Sequence, residues 1–159
     1  MGDRVNPIPE EYRGATPYII CKGAAEAIEF YQKAFGAKEM FRMGAPGGTI
    51  GHAEIKIGEH AIVMLADEHP EMDARSPQTV GGTSTSIYIY VADVDALARQ
   101  AEAAGAKLLR PVADQFYGDR SVHLEDPFGH RWGFATRKEN LSIDEINARA
   151  AEKFGGGSS

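Results

Sequence analysis

Two His-x-Glu pairs are the residues of this sequence with the clearest capacity for chemistry. The first pair is His52 and Glu54, and the second is His123 and Glu125. Alternate residues of a β-strand face the same side, about 6.6–6.8 Å apart, so each pair would share one sheet face. Two converging pairs can hold a divalent ion, and a single pair can act as a general acid/base. These four residues are therefore the catalytic candidates and also a candidate metal-ligand set.

A structural role for the same residues stays open, in which each histidine caps a glutamate on a half-solvated sheet face. An internal duplication would copy both residues at once, so their repetition is not independent support for a metal site. No recognisable nucleophile accompanies the pairs in the sequence. A structural role is the preferred interpretation of the four residues, so we expect no metal ion or other cofactor there. A divalent ion held by His52, Glu54, His123 and Glu125 is the alternative.

The elements that must position these residues follow from hydrophobic periodicity. Helical spacing of apolar residues predicts helices over Ala24–Phe35 and from Val94 to Ala104, with Asp93 as the N-cap of the second. A capping box at Ser142 predicts a third helix from Ile143 to about Lys153. Eight strands are predicted, at Thr16–Cys21, Lys38–Met43, Ile50–Ile57, Ala61–Ala66, Thr83–Val91, Lys107–Arg110, Ser121–Glu125 and Arg131–Thr136.

The order strand–helix–strand–strand–strand occurs twice along the chain. The segment Gly36–Lys38 recurs as Gly105–Lys107, 69 positions later, and the second His-x-Glu pair follows the first by 71 positions. A consistent offset of this kind indicates an internal duplication. We predict an α+β fold in which two βαβββ modules form a concave mixed sheet, with helices on the outer face and an additional C-terminal helix.

The chain divides into six segments, of which the two modules together form one domain. The six segments are an irregular N-terminal arm (1–14), the first module (15–66), a linker (67–82), the second module (83–137), the C-terminal helix (138–154) and a disordered tail (155–159). The long linker would let the modules pair within one chain or swap between two chains.

Composition excludes several classes of protein. The 159 residues carry 17 Lys and Arg against 23 Asp and Glu, a net charge of −6, and no basic run that would bind nucleic acid. The single cysteine, Cys21, excludes a disulfide framework and a thiolate zinc site. No apolar stretch approaches the ~20 residues of a membrane span, and none resembles a signal peptide. We expect a soluble cytoplasmic protein that binds neither nucleic acid nor membrane.

Two motifs connect this architecture to a known family. The first is Ala27–Tyr31 followed by Ala34–Ala37, and the second is Tyr117–Arg120 with Asp126–Trp132. In a duplicated βαβββ chain, these motifs resemble the vicinal-oxygen-chelate superfamily, which contains glyoxalase I, extradiol dioxygenases and bleomycin resistance proteins. The second motif is similar to the closing hairpin of the PhnB-like branch. The resemblance covers about residues 15–137 and implies that a second chain completes the site, so we expect a homodimer.

The resemblance also implies where a metal would bind. Metal-dependent members carry a His or Glu on the first and fourth strand of each module, and the matching positions here are Thr16, Met64, Ser86 and Gly133. None of these residues offers a histidine or a carboxylate, and glycine has no side chain. Metal-dependent glyoxalase I or dioxygenase activity is therefore not expected.

Strand alternation predicts the residues of the concave face. Val122 and Leu124 would face the helices, which leaves the His-x-Glu pairs on the opposite side. The predicted ligand-binding residues are Tyr18, Met64, Tyr88, Tyr90 and Arg120. Arg120 fits either a surface ion pair or recognition of an anion at the rim.

The leading hypothesis is a protein that binds a planar or amphipathic small molecule between aromatic rings, without a metal ion. In this hypothesis Glu54, Glu125 and the histidines select a cationic or hydrogen-bonding group of the ligand. The alternative is a lyase or isomerase that uses a divalent metal or the His/Glu pairs. A third hypothesis is an interaction module, which applies if the protein's own side chains fill the concave face.

Overall fold

The computed structural model describes residues 4–155 and divides the chain into two compact units, Met1–Gly81 and Gly82–Ser159. The first unit contains β1 (Tyr18–Cys21), α1 (Ala24–Phe35), β2 (Lys38–Gly44), β3 (Ile50–Ile57), β4 (Ala61–Asp67) and the one-turn helix α2 (Pro77–Val80). The second contains β5 (Ser86–Tyr90), α3 (Val94–Ala104), β6 (Lys107–Asp114), β7 (Asp119–Glu125), β8 (Arg131–Arg137) and α4 (Ile143–Gly155).

Each unit holds one four-stranded mixed sheet, and the two sheets have the same topology. The strand orders are β1-β4-β3-β2 and β5-β8-β7-β6. The β1–β4 and β5–β8 pairs are parallel, and the other pairs are antiparallel. The predicted βαβββ order and the C-terminal helix are confirmed.

Each helix packs on one face of its sheet because the strands alternate. In β3, Ala53, Ile55 and Ile57 are almost fully buried, and in β7 so are Val122 and Leu124. Trp132 and Phe134 of β8 are completely buried on the helix side, with stacked rings 6.2 Å apart. We call the opposite side of each sheet its open face. The His-x-Glu pairs lie on the open faces, as predicted.

The first helix is capped by a residue distant in sequence. Its N-cap, Gly23, has no side chain, and the Asp67 carboxylate accepts from the backbone N–H groups of Gly23 (3.1 Å) and Ala24 (2.8 Å). The other Asp67 oxygen accepts from Ile50 N (2.7 Å), which ties the helix to the start of β3. In α3 the cap is local and as predicted, because Asp93 accepts from Ala96 N.

The closing hairpin between β7 and β8 is built around one buried carboxylate. Asp126 is 4% exposed and accepts from the backbone N–H groups of Phe128 (2.8 Å) and His130 (3.0 Å). Its second oxygen accepts from Trp132 Nε1 at 2.8 Å. The turn predicted over these residues is present, and its aspartate also connects the turn to the core.

The segment 67–82, which was predicted to be a linker, contains a helical turn and a cluster of hydrogen bonds. The Glu68 carboxylate accepts from the backbone N–H and hydroxyl of Ser76 and from the hydroxyl of Thr79. These hydrogen bonds stabilise the ionised carboxyl and lower the pKa of Glu68 to about 2. They hold the start of α2, where Ser76 is the N-cap.

The C-terminal helix begins at the predicted capping box, in which Ser142 and Glu145 exchange hydrogen bonds. Gly155 belongs to the helix, and the remainder of the predicted disordered tail lies outside the described residues. Of the helices in residues 4–155, none has the length and apolar character needed to cross a membrane.

Candidate functional site

The open face of the first sheet carries a row of candidate residues, one from each strand. Tyr18 of β1 pairs with Met64 of β4, and Met64 pairs with Glu54 of β3. Phe41 of β2 continues the row beyond Glu54. His52 lies two residues before Glu54 and therefore on the same face. This sheet brings three of the predicted site residues into one row, with His52 beside them.

The imidazole of His52 is held between two partners. Its Nδ1 lies 2.9 Å from the Tyr18 hydroxyl, and its Nε2 lies 3.1 Å from Glu54 Oε1. A carboxylate can only accept, so Nε2 carries a proton, and in the neutral ring Nδ1 accepts the Tyr18 hydroxyl proton. The rings of Tyr18 and Phe41 flank the imidazole at 5.3 and 5.6 Å. Both the tautomer and the orientation of His52 are thereby determined.

The second oxygen of Glu54 binds a residue that the sequence analysis missed. Tyr12 of the N-terminal arm donates a hydrogen bond from its hydroxyl to Glu54 Oε2. This bond raises the pKa of Tyr12, because ionisation would lose the hydrogen bond and place a phenolate beside a carboxylate. Glu54 itself is only 4% exposed. No periodic signal locates Tyr12, which lies 42 positions before Glu54 in an irregular segment.

In the second sheet the corresponding row brings an aromatic ring against a glycine. Tyr88 of β5 pairs with Gly133 of β8, and Gly133 pairs with His123 of β7. A Cβ at Gly133 would lie 2.5 Å from Cδ2 of Tyr88 and 3.3 Å from Cε1 of His123. The Tyr88 ring therefore occupies the space that a side chain at position 133 would need. Tyr90 lies edge-on to Tyr88, with the ring centroids 5.7 Å apart.

Tyr90, the second tyrosine of β5, is held by a hydrogen bond to its hydroxyl and by a cation above its ring. Tyr90 donates to Oδ2 of the buried Asp119 at 2.6 Å, which raises the pKa of the phenol. The guanidinium of Arg137 lies 5.5 Å from the centre of the Tyr90 ring and 3.7 Å from Asp119 Oδ1. Tyr90 is still 52% exposed, so its ring is held in place with one side open to solvent.

The centre of the second open face is uncharged at neutral pH. Burial lowers the pKa of His123, and the positive charge of Arg110 lowers it further. Burial also raises the pKa of Tyr88, and a hydrogen bond with Tyr117 adds to the effect. His123 and Tyr88 are therefore both neutral at pH 7, beside the neutral phenol of Tyr90.

The two His-x-Glu pairs are not structurally equivalent. The residue in the tyrosine row is Glu54 in the first sheet and His123 in the second. Three residues separate β3 from β4, whereas five separate β7 from β8, so the repeated motif is displaced by two residues along the strand. The position in the second sheet that matches His52 is Ser121, whose buried hydroxyl has no hydrogen-bond partner among the described residues. The repetition in sequence therefore does not produce a repeated site.

The two remaining candidates are engaged in ion pairs. Glu125 lies 3.5 Å from Arg131, which precedes Gly133 on the same open face. Arg120 lies on the helix side of its sheet, where it donates to both carboxylate oxygens of Asp95 in α3, at 2.8 and 2.9 Å. A third contact, at 3.1 Å, reaches Asp114. Arg120 was predicted to bind ligand together with Tyr88 and Tyr90, but it lies on the opposite side of their sheet.

The positions that hold metal in metal-dependent relatives do not fit a divalent ion here. The register corrects the expected first-strand positions, because Tyr18 and not Thr16 pairs with Met64, and Tyr88 and not Ser86 pairs with Gly133. The first-strand and fourth-strand positions therefore offer a phenol and a thioether in one sheet and a phenol alone in the other. Each row continues to one further candidate ligand, Glu54 or His123. The phenol ring of Tyr88 fills the space next to Gly133. Within residues 4–155, no group of three or more His, Cys, Asp or Glu is arranged to hold a metal.

Known proteins resemble this chain in sequence and in fold. A model of the family described as Glyoxalase/Bleomycin resistance protein/Dioxygenase superfamily matches residues 15–134. An uncharacterized protein of Mycobacterium tuberculosis is 38% identical over 144 residues, which cover 89% of this chain and 84% of the relative.

Solved structures resemble the chain over most of its length. TioX from Micromonospora sp. ML1 has a TM-score of 0.62 and 27% identity, and the match covers 78% of this chain and 99% of TioX. The fosfomycin resistance protein FosX from Listeria monocytogenes, complexed with Mn(II) and sulfate, has a TM-score of 0.61 and 17% identity, with 87% and 98% coverage. The similarity to FosX concerns the fold alone.

Proposed function

The chain belongs to the Glyoxalase/Bleomycin resistance protein/Dioxygenase superfamily, and from that premise we propose that it binds a small planar organic molecule on its aromatic open faces, without a metal ion. Tyr18 and Met64 serve as the ligand-binding residues of the first module, and Tyr88 and Tyr90 as those of the second. Arg120 is left out, because it lies on the helix side bound to Asp95.

The observation that carries this proposal is the pair of exposed tyrosine rings on the second module. Tyr88 and Tyr90 are 41% and 52% exposed, yet contacts with Gly133, Asp119 and Arg137 hold their rings in place. Rigid aromatic surfaces bind planar ligands at a low cost in conformational entropy. The neutral imidazole of His123 beside them adds a polar group that can accept or donate one hydrogen bond.

Titration with proflavine, a planar aromatic cation with intrinsic fluorescence, tests this proposal. We expect saturable binding to the wild-type protein and about tenfold weaker binding to Tyr88→Ala, which removes one stacking ring. Tyr88→Phe is the matched control and should retain most of the affinity, because it keeps the ring and loses only the hydroxyl. Equal affinities for the wild type and Tyr88→Ala would contradict the proposed site.

The alternative function is a lyase or isomerase that uses His52 as an acid/base, and the Tyr18–His52–Glu54 hydrogen-bond chain supports it. Mass spectrometry of the ligand recovered from the protein distinguishes the two functions. A binding protein returns the ligand unchanged, whereas an enzyme returns a product.

Metal analysis and thermal unfolding test the proposal that no metal ion takes part in ligand binding. Protein purified without chelator should contain no stoichiometric divalent metal, since neither row of the open faces offers a fitting set of ligands. Addition of Zn, Ni, Mn or Fe(II), or of EDTA, should leave the unfolding temperature unchanged, because a ligand that does not bind the native state cannot stabilise it. A rise in unfolding temperature that EDTA reverses would support the metal-using alternative at His52, Glu54, His123 and Glu125.

Three further properties remain predictions from the sequence: membership of the PhnB-like branch, a homodimer and a cytoplasmic location. The homodimer rests on the superfamily, whose members commonly form dimers. Whether the modules pair within a chain or by swapping is part of the same proposal.

A further inference from the structure

One side chain of the N-terminal arm is anchored on the open face of the first sheet. Among residues 4–15, Tyr12 is the residue whose side chain is not exposed. Its neighbours Glu10 and Arg13 form an ion pair with each other at 3.2 Å, and both are exposed. The hydrogen bond from Tyr12 to Glu54 is therefore the polar contact that holds this part of the arm on the sheet.

The arm lies across the sheet without close packing. A cleft of about 310 Å³ remains between them. Its lining residues include Glu10, Glu11 and Arg13 of the arm, with Met40, Lys56 and Ile62 of the sheet. Gly14, with φ of 92° and open space around it, follows the arm before β1. Lifting the arm would break the hydrogen bond from Tyr12 to Glu54 and would otherwise release residues that are already exposed.

The carboxylate beneath the arm lacks the partner that a buried charge normally has. Glu54 is 4% exposed and accepts hydrogen bonds from His52 Nε2 and the Tyr12 hydroxyl, and among the described residues no Lys or Arg nitrogen lies within 4.0 Å of its carboxylate. A buried carboxylate is stabilised most by a cation that also donates hydrogen bonds. The rings of Tyr18 and Phe41 share its row, and aromatic rings attract an ammonium ion through the negative charge of their faces.

We propose that Glu54 is a recognition site for an ammonium or amidinium group of the ligand, and that Tyr12 occupies this site in the free protein. This inference rests on the proposed function, because it assigns the charge of the ligand bound on the first open face. The ligand cation replaces the Tyr12 hydroxyl at Glu54 Oε2, and the arm lifts from the sheet. Tyr12 is then an intramolecular competitor. The apparent association constant of the ligand equals its intrinsic value multiplied by the fraction of molecules in which Tyr12 has left Glu54.

Three compounds that share one ring and differ in charge test this site: benzylamine, benzyl alcohol and benzoate. Binding is followed through the ¹³C-labelled methyl group of Met64, which lies beside Glu54 in the same row. We expect benzylamine to bind most tightly and benzoate least. Tyr12→Phe should bind benzylamine about tenfold more tightly than the wild type, because it loses the competing hydrogen bond to a charged acceptor and keeps its ring. Glu54→Gln should bind the amine and the alcohol equally.

The arm control is Val5→Ala, which changes a residue that is 85% exposed and should match the wild type. Unchanged or weaker benzylamine binding by a folded Tyr12→Phe protein would overturn the competitor role. Equal affinity of the wild type for all three compounds, or no Met64 response to any of them, would overturn the cation site. Either failure leaves the proposed function standing if proflavine still binds and Tyr88→Ala still weakens it, because that readout belongs to the other module.

Discussion

Replacement of Asp126 by alanine is expected to lower the free energy of unfolding by about 3–4 kcal/mol, the largest effect of any single change considered for this protein. The substitution removes the acceptor of two backbone N–H groups and of Trp132 Nε1. Trp132 is completely buried, so its indole N–H loses a charged acceptor at a position shielded from solvent. Chemical denaturation measures the free energy, and the unfolding temperature should fall by roughly 6–16 °C for a protein of this size.

A double-mutant cycle separates the indole contact from the turn contacts. Trp132→Phe removes the N–H donor and retains an aromatic ring, although it also leaves a small cavity. The combined Asp126→Ala and Trp132→Phe protein should lose less stability than the sum of the single variants, because both changes remove the same hydrogen bond. Strict additivity, or a loss below about 1 kcal/mol for Asp126→Ala, would show that the carboxylate is not the link between the turn and the core.

Gly133→Ala is expected to displace the Tyr88 ring from the aromatic surface of the second module with only a modest loss of stability. The new methyl group would lie 2.5 Å from the Tyr88 ring, a distance that no side chain tolerates, so the ring must leave. Tyr88 is 41% exposed and can rotate into solvent, which limits the stability loss to about 1–2 kcal/mol. Proflavine affinity should fall at least tenfold, roughly as for Tyr88→Ala.

The matched control for this change is Gly51→Ala. Gly51 also lies in a strand, β3, and its added methyl group would make an ordinary contact of 3.5 Å with Ala45. Gly51→Ala should therefore retain the structure and the proflavine affinity of the wild type. If Gly133→Ala binds proflavine as the wild type does, the position of the Tyr88 ring over Gly133 does not matter for the site.

Much of the fold could be predicted because it depends on local patterns. The bounds of α1 and β3 agree with their predicted ranges, Ala24–Phe35 and Ile50–Ile57. The N-cap of α3 and the capping box of α4 join residues three positions apart. Local hydrophobic periodicity and caps of this kind are recorded directly in the order of residues.

The candidate site was predicted only in part, because strand alternation specifies a face and not a row. Alternation places His52, Glu54, His123 and Glu125 on the open faces. It cannot specify which of them lies beside the tyrosines, since the row depends on the length of the hairpin that follows the strand. Two additional residues in the second hairpin place His123, and not Glu125, in the row of Tyr88 and Gly133.

By itself, the sequence determined the duplicated βαβββ architecture, the superfamily and the residues of each open face, all of which depend on short-range order or on recognisable motifs. The tertiary structure alone decided which side chains meet across long separations. Asp67 caps α1 from 43 positions away, and Tyr12 reaches Glu54 across 42 positions. Contacts of this kind leave no periodic trace in the sequence, because folding selects them through the geometry of the whole sheet and not through neighbouring residues.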